Sequence, residues 1–516
     1  MRSTFHTLET AKRSLFTQQA AINTTGHNIA NANTKGYSRQ TVNMVAARPI
    51  EAYGMSRSVA AGQLGTGVEF TSIERVRVAY LDDQFRNQSK YLGSWSVQAD
   101  TLGKLEAIVN EPGDTGIRTV LEKFWKSWSD LSKDPENVTG RKIVRENALA
   151  MVDAFNQTSK QLSDLSADLT KNVEVKATQM NTIMNTIASL NNEIRRIEGL
   201  GDHANDLRDQ RDLLTDQLSQ IVNVQVIDTE QGYSINMGGI NLVEGTTVSP
   251  VTADSLTAAH QSGDLNNGEV FGMIVSRDLY VADYQRQLDT LANTLANGQL
   301  SVTIPAGSVL PGQTTPLAQD TVVTVNGING LHKLGYTLED PENPGDPPAT
   351  GLDFFTFATG ASGVTAASIR LNPAIDADTN KIATSLRTKT ENGTTTVVRG
   401  NNTLALLMSE LRDVKFKVDE SSAGFGIYDS TLNDYYSGMV GALGVQTQEA
   451  NRQLANSKAQ LEQVDMSRQS VSGVSLDEEM SNLIKYQHAY SAAARVMTTF
   501  DQMMEKLING TGVVGR

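Results

Sequence analysis

A chain of 516 residues is long enough for three or four domains at ~150 residues each, and its net charge of −14 argues against nucleic acid or anionic lipid as the main partner. It has no cysteine, which excludes disulfides, thiol catalysis and cysteine-ligated zinc or iron–sulfur centres. With only 6% aromatic residues, its cores must be built from Leu, Ile, Val, Met and Ala, a composition that suits helix bundles.

The N-terminus lacks the apolar core of about 7–15 residues that a cleaved secretory signal needs. No apolar run reaches about 18 residues, so membrane insertion is not expected. Residues 4–33 place Phe5, Leu8, Ala11, Leu15, Ile22 and Ile29 at heptad spacing, which predicts a helix with one apolar seam. Asn31, Asn33 and Gly36 tolerate left-handed backbone and mark its end. Residues 37–78 alternate like strands around Gly54, Gly62, Gly65 and Gly67, an irregular β segment. Helical spacing returns over 79–110, up to Glu111-Pro112-Gly113. A short helix over 116–132 carries Phe124, Trp125 and Trp128.

Asp134-Pro135-Glu136 supplies an N-cap acid, a proline at the first helical position and an acid in the first turn, which predicts the start of a long helix. Its stripe runs from Val144 through Phe155, Leu169 and Met180 to Ile197, with a run of four-residue steps in the middle. A continuous helix over 135–198 is on the order of 90 Å long; two helices bent near 170–178 are the alternative. Gly199 and Gly201 end it, and a helix follows over 205–222. Strands are predicted over 224–251 and a helix over 270–298. Residues 299–400 are rich in Thr, Val, Gly, Ala and Ser, with a Pro-rich loop at 341–348, and read as an inserted β domain. Asn401-Asn402 caps a helix at 403–417. A last long helix spans 431–470 and breaks at Gly473. Ser475 to Glu478 forms a capping box for the terminal helix, 475–509, whose seam is Leu476, Met480, Leu483, Tyr490, Ala494, Met497, Met504 and Ile508.

The fold class predicted is mainly α with β insertions, in nested, discontinuous domains. Residues 1–78 with 471–516 form a terminal coiled-coil assembly domain that includes the irregular β segment. Residues 79–223 with 401–470 form a central bundle of long helices. Residues 224–400 form a β-rich outer region. A seam at each end must be buried, either against the other end or against neighbouring copies, which points to assembly.

Catalytic constellations are missing. The six histidines are scattered with no HExxH pair, and there is no GxxxxGK[ST] or GxSxG. The acidic run Asp202–Asp212 lacks the order of an EF-hand; its Asp and Arg residues are expected to pair with each other on helix faces. Trp125 and Trp128 have the spacing to stack a sugar, but three-residue spacing on an amphipathic helix favours core. No enzyme activity, cofactor or metal is expected. The cluster Asn28, Asn31 and Asn33 places poor helix formers at a helix end. Its amides are either satisfied by neighbouring backbones, as in a tightly packed assembly, or they are ordinary caps.

The run Gly26-His27-Asn28-Ile29-Ala30-Asn31-Ala32-Asn33-Thr34-Lys35-Gly36-Tyr37 resembles the N-terminal signature of the flagellar rod, hook and hook-associated axial proteins. The continuation Ser38-Arg39-Gln40, the segment Ser472 to Met480 with Leu483 to Tyr490, and Ala204 to Asp212 are similar to the hook-associated branch. Residues 299–400 resemble it only loosely. The resemblance implies a structural axial protein, a ring of copies joining hook to filament, exported through the flagellar type III apparatus to the cell exterior. The implied partners are other copies, the hook protein, the next hook-associated protein on the filament side, and a cytosolic export chaperone. The subunit-assembly residues are then Leu8, Leu15, Ile22, Asn28, Ile29, Asn31, Asn33, Tyr37, Leu476, Met480, Leu483, Tyr490, Met497 and Met504. The chaperone is expected on Leu476, Leu483, Ile484 and Tyr490. The alternatives are hook protein or flagellin, or a flagellum-borne surface binding protein or enzyme carried by 299–400.

Overall fold

The computed structural model describes residues 5–49, 65–109, 113, 116–339, 347–391, 394–416 and 429–510. Gly54, Gly62, Glu111, Pro112, most of the 341–348 loop and residue 417 lie outside the described residues. The chain is mainly helical with small β sheets.

In order, α1 (His6–Ala30) leads to the hairpin β1 (Gln40–Ala46) and β2 (Val68–Arg75). Then come α2 (Ala79–Val109), α3 (Ile117–Lys133), α4 (Val138–Glu198) and α5 (Asn205–Ile221). A four-stranded antiparallel meander follows: β3 (Gln225–Thr229), β4 (Gly232–Met237), β5 (Ile240–Glu244) and β6 (Thr247–Val248). The helices α6 (Ala253–Ser262), α7 (Glu269–Val275) and α8 (Ala282–Asn297) come next; a π-helical turn, Ser276–Val281, joins α7 and α8 into one run. The next stretch holds β7 (Gln299–Ile304), β8 (Thr321–Asn326), α9 (Gly327–Lys333), β9 (Phe355–Phe357), β10 (Ile369–Leu371), α10 (Pro373–Ala377), β11 (Thr388–Glu391) and β12 (Thr394–Val397). The chain closes with α11 (Thr403–Glu410), α12 (Leu432–Ser472) and α13 (Leu476–Gly510).

Contacts divide the chain into two compact units. The first holds 1–94, 174–271 and 455–516; the second holds 95–173 and 272–454. These cuts fall elsewhere than the boundaries drawn from sequence. Residues 224–251 lie in the first unit, where Asn191 and Asn181 of α4 bond the backbone at Tyr233, Gly245 and Val251.

The long helix is continuous over 61 residues. Val144, Phe155, Leu169, Val173, Ala177, Met180 and Ile194 are all buried, so the apolar stripe stays covered through the run of fours. It starts later than Asp134-Pro135-Glu136 implies. Asp134 closes α3, and Asn137 is the cap, its Oδ1 accepting from the N–H groups of Thr139 and Gly140. Pro135 lies in the turn between them, and its carbonyl accepts from Arg141.

Among the described residues, 299–400 hold three separate two-stranded ladders with short helices between them rather than one shared sheet. The core of the second unit includes Phe124, Trp128, Phe354 and Phe355, whose ring centroids lie 4.9–6.4 Å apart. Trp125 and Trp128 are therefore core. The helix at Asn402 is shorter than the pattern implies, ending at Glu410.

Buried His332 of α9 pins this region. Its Nδ1 donates to the Leu352 carbonyl (2.6 Å), and its Nε2 accepts from the Ala383 N–H (2.8 Å). Burial pulls its pKa down from 6.5 to about 4. Gly351 is required here, because a Cβ would sit 2.1 Å from the His332 carbonyl oxygen.

Candidate assembly site at the joined termini

In the first unit α1 packs along α13. Asn28, near the C-terminal end of α1, bonds Glu479, near the N-terminal end of α13. Extended packing through that contact requires the two helices to run antiparallel. The covered stripe of α13 is Glu479, Leu483, Tyr486, Ala493, Met497, Phe500 and Met504, in alternating steps of three, four and seven. A second stripe is not covered: Leu476, Met480 and Ile484 are 50%, 49% and 52% exposed, and Val496, Met503 and Leu507 continue it.

The seam read from the sequence merges these two stripes. Leu483, Met497 and Met504 are half-buried, whereas Leu476, Met480 and Tyr490 are exposed. Leu8, Leu15, Ile22 and Ile29 are half-buried on α1. Of the four residues expected to meet a chaperone, only Leu483 is in the covered stripe.

The Asn cluster splits into separate roles. Asn28 is 1% exposed and all four of its amide positions are used within the chain. Its Nδ2 donates to the Gln40 carbonyl (2.8 Å) and Glu479 (3.0 Å), and its Oδ1 accepts from the Gln40 N–H (3.0 Å) and the Tyr37 hydroxyl (2.8 Å). That saturates an amide and leaves no position for a bond between subunits. Asn31 is the C-cap of α1, and its side chain bonds the His27 carbonyl. Asn33 is exposed. Of the three residues expected to supply left-handed backbone, only Gly36 does (φ +84°), lying against Leu213 of α5. Burial, with Asp206, Asp209 and Glu479 nearby, raises the Tyr37 pKa.

The predicted capping box is half formed. The Glu478 N–H reaches Ser475 Oγ at 3.5 Å, but the Glu478 carboxylate turns to Arg39 (2.7 Å). Arg39 also donates its backbone N–H to the Ser472 carbonyl (2.8 Å), at the break between α12 and α13.

Beside this clasp lies a buried charge cluster. Asp209 and Asp212 of α5 bond Arg75 at 2.7 and 2.8 Å. Arg77 pairs with Asp82 (2.7 Å), Arg86 with Asp216 (3.0 Å), and Arg468 of α12 with Asp216 (2.6 Å). Ser38 donates both its N–H and its hydroxyl to Asp209. The Asp and Arg residues of α5 thus pair across elements rather than with each other. A pair four apart on one helix face leaves its charges in water, and these carboxylates are buried. Arg208 meets Glu198, and Arg211 stacks on the Tyr233 ring, 3.5 Å from its centroid. Burial pushes both Asp212 and Asp216 up. At Asp212 the guanidiniums of Arg77, Arg75 and Arg86 outweigh burial and hold it below the usual carboxylate range. At Asp216 burial prevails over Arg86 and Arg468, and its pKa is raised.

Among the described residues, no group of three or more His, Asp or Glu is arranged to hold a metal ion. No helix among them is long and apolar enough to cross a membrane. Sequence reasoning missed Glu479, Arg39 and the four arginines at 75, 77, 86 and 468. Apart from the Arg77–Asp82 pair, the bonds that build the cluster and the clasp join residues more than a hundred positions apart, and no spacing signal reaches that far.

This arrangement can be set beside known proteins. The model of the flagellar hook-associated protein FlgK helical domain matches residues 102–299. That of the flagella basal body rod protein matches 8–37, and that of the flagellar basal body rod FlgEFG protein C-terminal matches 467–510. The flagellar hook-associated protein 1 of Bacillus subtilis (strain 168) is 32% identical over all of this chain and all of its own length. The chain belongs to the flagellar hook-associated protein 1 family. The hook-associated protein 1 of Escherichia coli (strain K12) is 26% identical, with 97% of this chain and 99% of that protein covered. Among solved structures, the flagellar hook junction protein FlgK from Burkholderia pseudomallei matches with a TM-score of 0.51 at 15% identity, covering 76% of this chain and 100% of that one. That likeness speaks to the fold alone.

Proposed function

We propose that this chain is a structural axial component of the bacterial flagellum that polymerises as a ring at the hook–filament junction. Membership of the hook-associated protein 1 family supports the flagellar role, and the uncovered second stripe of α13 is the observation that carries assembly. A helix that satisfies the chain with one apolar face and leaves the other in water is built to meet neighbours. The neighbours are further copies, the hook protein on one side and the next hook-associated protein on the other. In the ring, the paired α1 and α13 line the inner tube.

The same stripe, with Leu476 and Ile484, is the surface a cytosolic chaperone covers before export through the flagellar type III apparatus. A strain lacking the protein is expected to build hooks without filaments and to release flagellin into the medium; filaments growing in that strain overturn the junction role. Met480→Asp and Ile484→Asp should block incorporation while α1 and α13 remain paired. Normal incorporation of both variants overturns the assignment of the stripe.

A further inference from the structure

The pairing of α1 with α13 has a weakness that its sequence does not hide. The buried residues of α1 are small or polar: Ala11, Thr17, Ala21, Thr24, Thr25 and Asn28. Those of α13 are only Glu479 and Ala493. Small side chains interlock poorly, and a heptad stripe slipped by seven residues still faces apolar with apolar. Something else must choose among the registers.

We propose that Asn28, Glu479 and Arg39 are that selector, a polar register lock for the two chain ends. Glu479 is 3% exposed and receives the Asn28 amide at 3.0 Å, with Arg39 Nε at 3.9 Å. Asn28 is tied to both backbone groups of Gln40, and the Arg39 N–H to the Ser472 carbonyl. The loop after α1 therefore grips the start of α13 from both sides of the Gly473 break. A slip of one heptad carries Glu479 away from Asn28, leaving a carboxylate and an amide donor buried without partners. Such unmade bonds cost far more than the net gain of making them. A single buried polar position fixing register has precedent in coiled coils.

The absence of cysteine makes the test clean. Ser14 lies fourteen residues before Asn28 and Ala493 fourteen after Glu479, so in an antiparallel pair they share a level. In the full-length chain, a Ser14→Cys/Ala493→Cys pair reports the native register, and Ser14→Cys/Tyr486→Cys reports a slip of seven. The native pair should cross-link preferentially. Glu479→Leu should keep helicity by circular dichroism but cut that preference about tenfold, the scale of one buried charged hydrogen bond. Asn28→Asp, which sets a carboxylate against both Glu479 and the Gln40 carbonyl, should do the same. Glu479→Gln, whose side-chain oxygen still accepts from the Asn28 amide, should keep the preference. A residue that merely fills space predicts no difference between the Leu and Gln variants. Native preference surviving in Glu479→Leu or Asn28→Asp overturns the proposal, as does its loss in Glu479→Gln. The readout does not involve assembly, so it stands or falls separately from the junction role.

Discussion

Buried arginines in one cluster of the first unit and at one position of the second are held in opposite ways. In the first, Arg75, Arg77, Arg86 and Arg468 face Asp82, Asp209, Asp212 and Asp216, charge against charge. In the second, buried Arg141 gives its donors to the carbonyls of Pro135 and Ile382 and the hydroxyl of Thr384, with no carboxylate among its bonded partners. Burial pulls its pKa down to about 10, while His332, which bonds Ala383 between two of those partners, stays neutral. Pairing by charge makes each member costly to lose, whereas carbonyl ligation spreads the cost over several weaker bonds.

Breaking the charge cluster should give the largest effect. Asp212→Ala leaves three guanidiniums short of a partner and should destabilise the first unit by about 3–5 kcal/mol. All three tryptophans, at 95, 125 and 128, lie in the second unit. Urea unfolding of this variant should therefore shift by circular dichroism while tryptophan fluorescence keeps its midpoint. Coincident shifts would erase the contrast between the units. Asp216→Asn should cost less, because the folded state already disfavours that charge.

Next comes pH. The fold holds His332 at about 4, below its usual 6.5, so an unfolded chain takes up the proton first as pH falls. Stability from His332 is complete above 6.5 and is lost as pH drops through 4, by roughly 3 kcal/mol at about 1.4 kcal/mol per unit. Burial disfavours the charged ring, and a proton on Nε2 would also face the Ala383 N–H. The fluorescence-detected midpoint should fall over this window, and His332→Gln should flatten the slope. A slope unchanged in that variant would place the acid sensitivity elsewhere.

Arg141→Met keeps the stem and drops the bonds, for a loss of about 1–3 kcal/mol seen by tryptophan fluorescence. The smallest effect is expected at Glu478→Gln. Its pair with Arg39 is solvent-exposed on the Glu478 side, so the loss should stay within about 1 kcal/mol and vanish in high salt. A large loss there would mean that Arg39, rather than Glu479, holds the clasp.

What the sequence made legible follows from how far its signals reach. Apolar period located α4, α12 and α13, and three-residue spacing placed Trp125 and Trp128 in the core. Local turn chemistry identified Gly36. The same local logic chose Asp134 over Asn137 as a cap, because both are good caps and only the turn at Pro135 decides between them. Glu479 was invisible as a seam residue, since a carboxylate in an apolar stripe is read as surface until its partner is known. That partner, Asn28, is 451 positions away. The three ladders of 299–400 read as one β domain because Thr- and Val-rich segments carry no record of which strands pair.

The distance between Asn28 and Glu479 also sets an order of events. A chain that emerges from a ribosome or a narrow conduit with its N-terminus first holds 1–94 open until Arg468 and Glu479 follow. The second unit has all its residues by position 454 and can close earlier. Its closure removes much of the intervening loop, whose entropy cost rises only slowly with length, by about 0.6 kcal/mol per doubling. Completion of the first unit is therefore later than that of the second, timed by the arrival of Arg468 and Glu479.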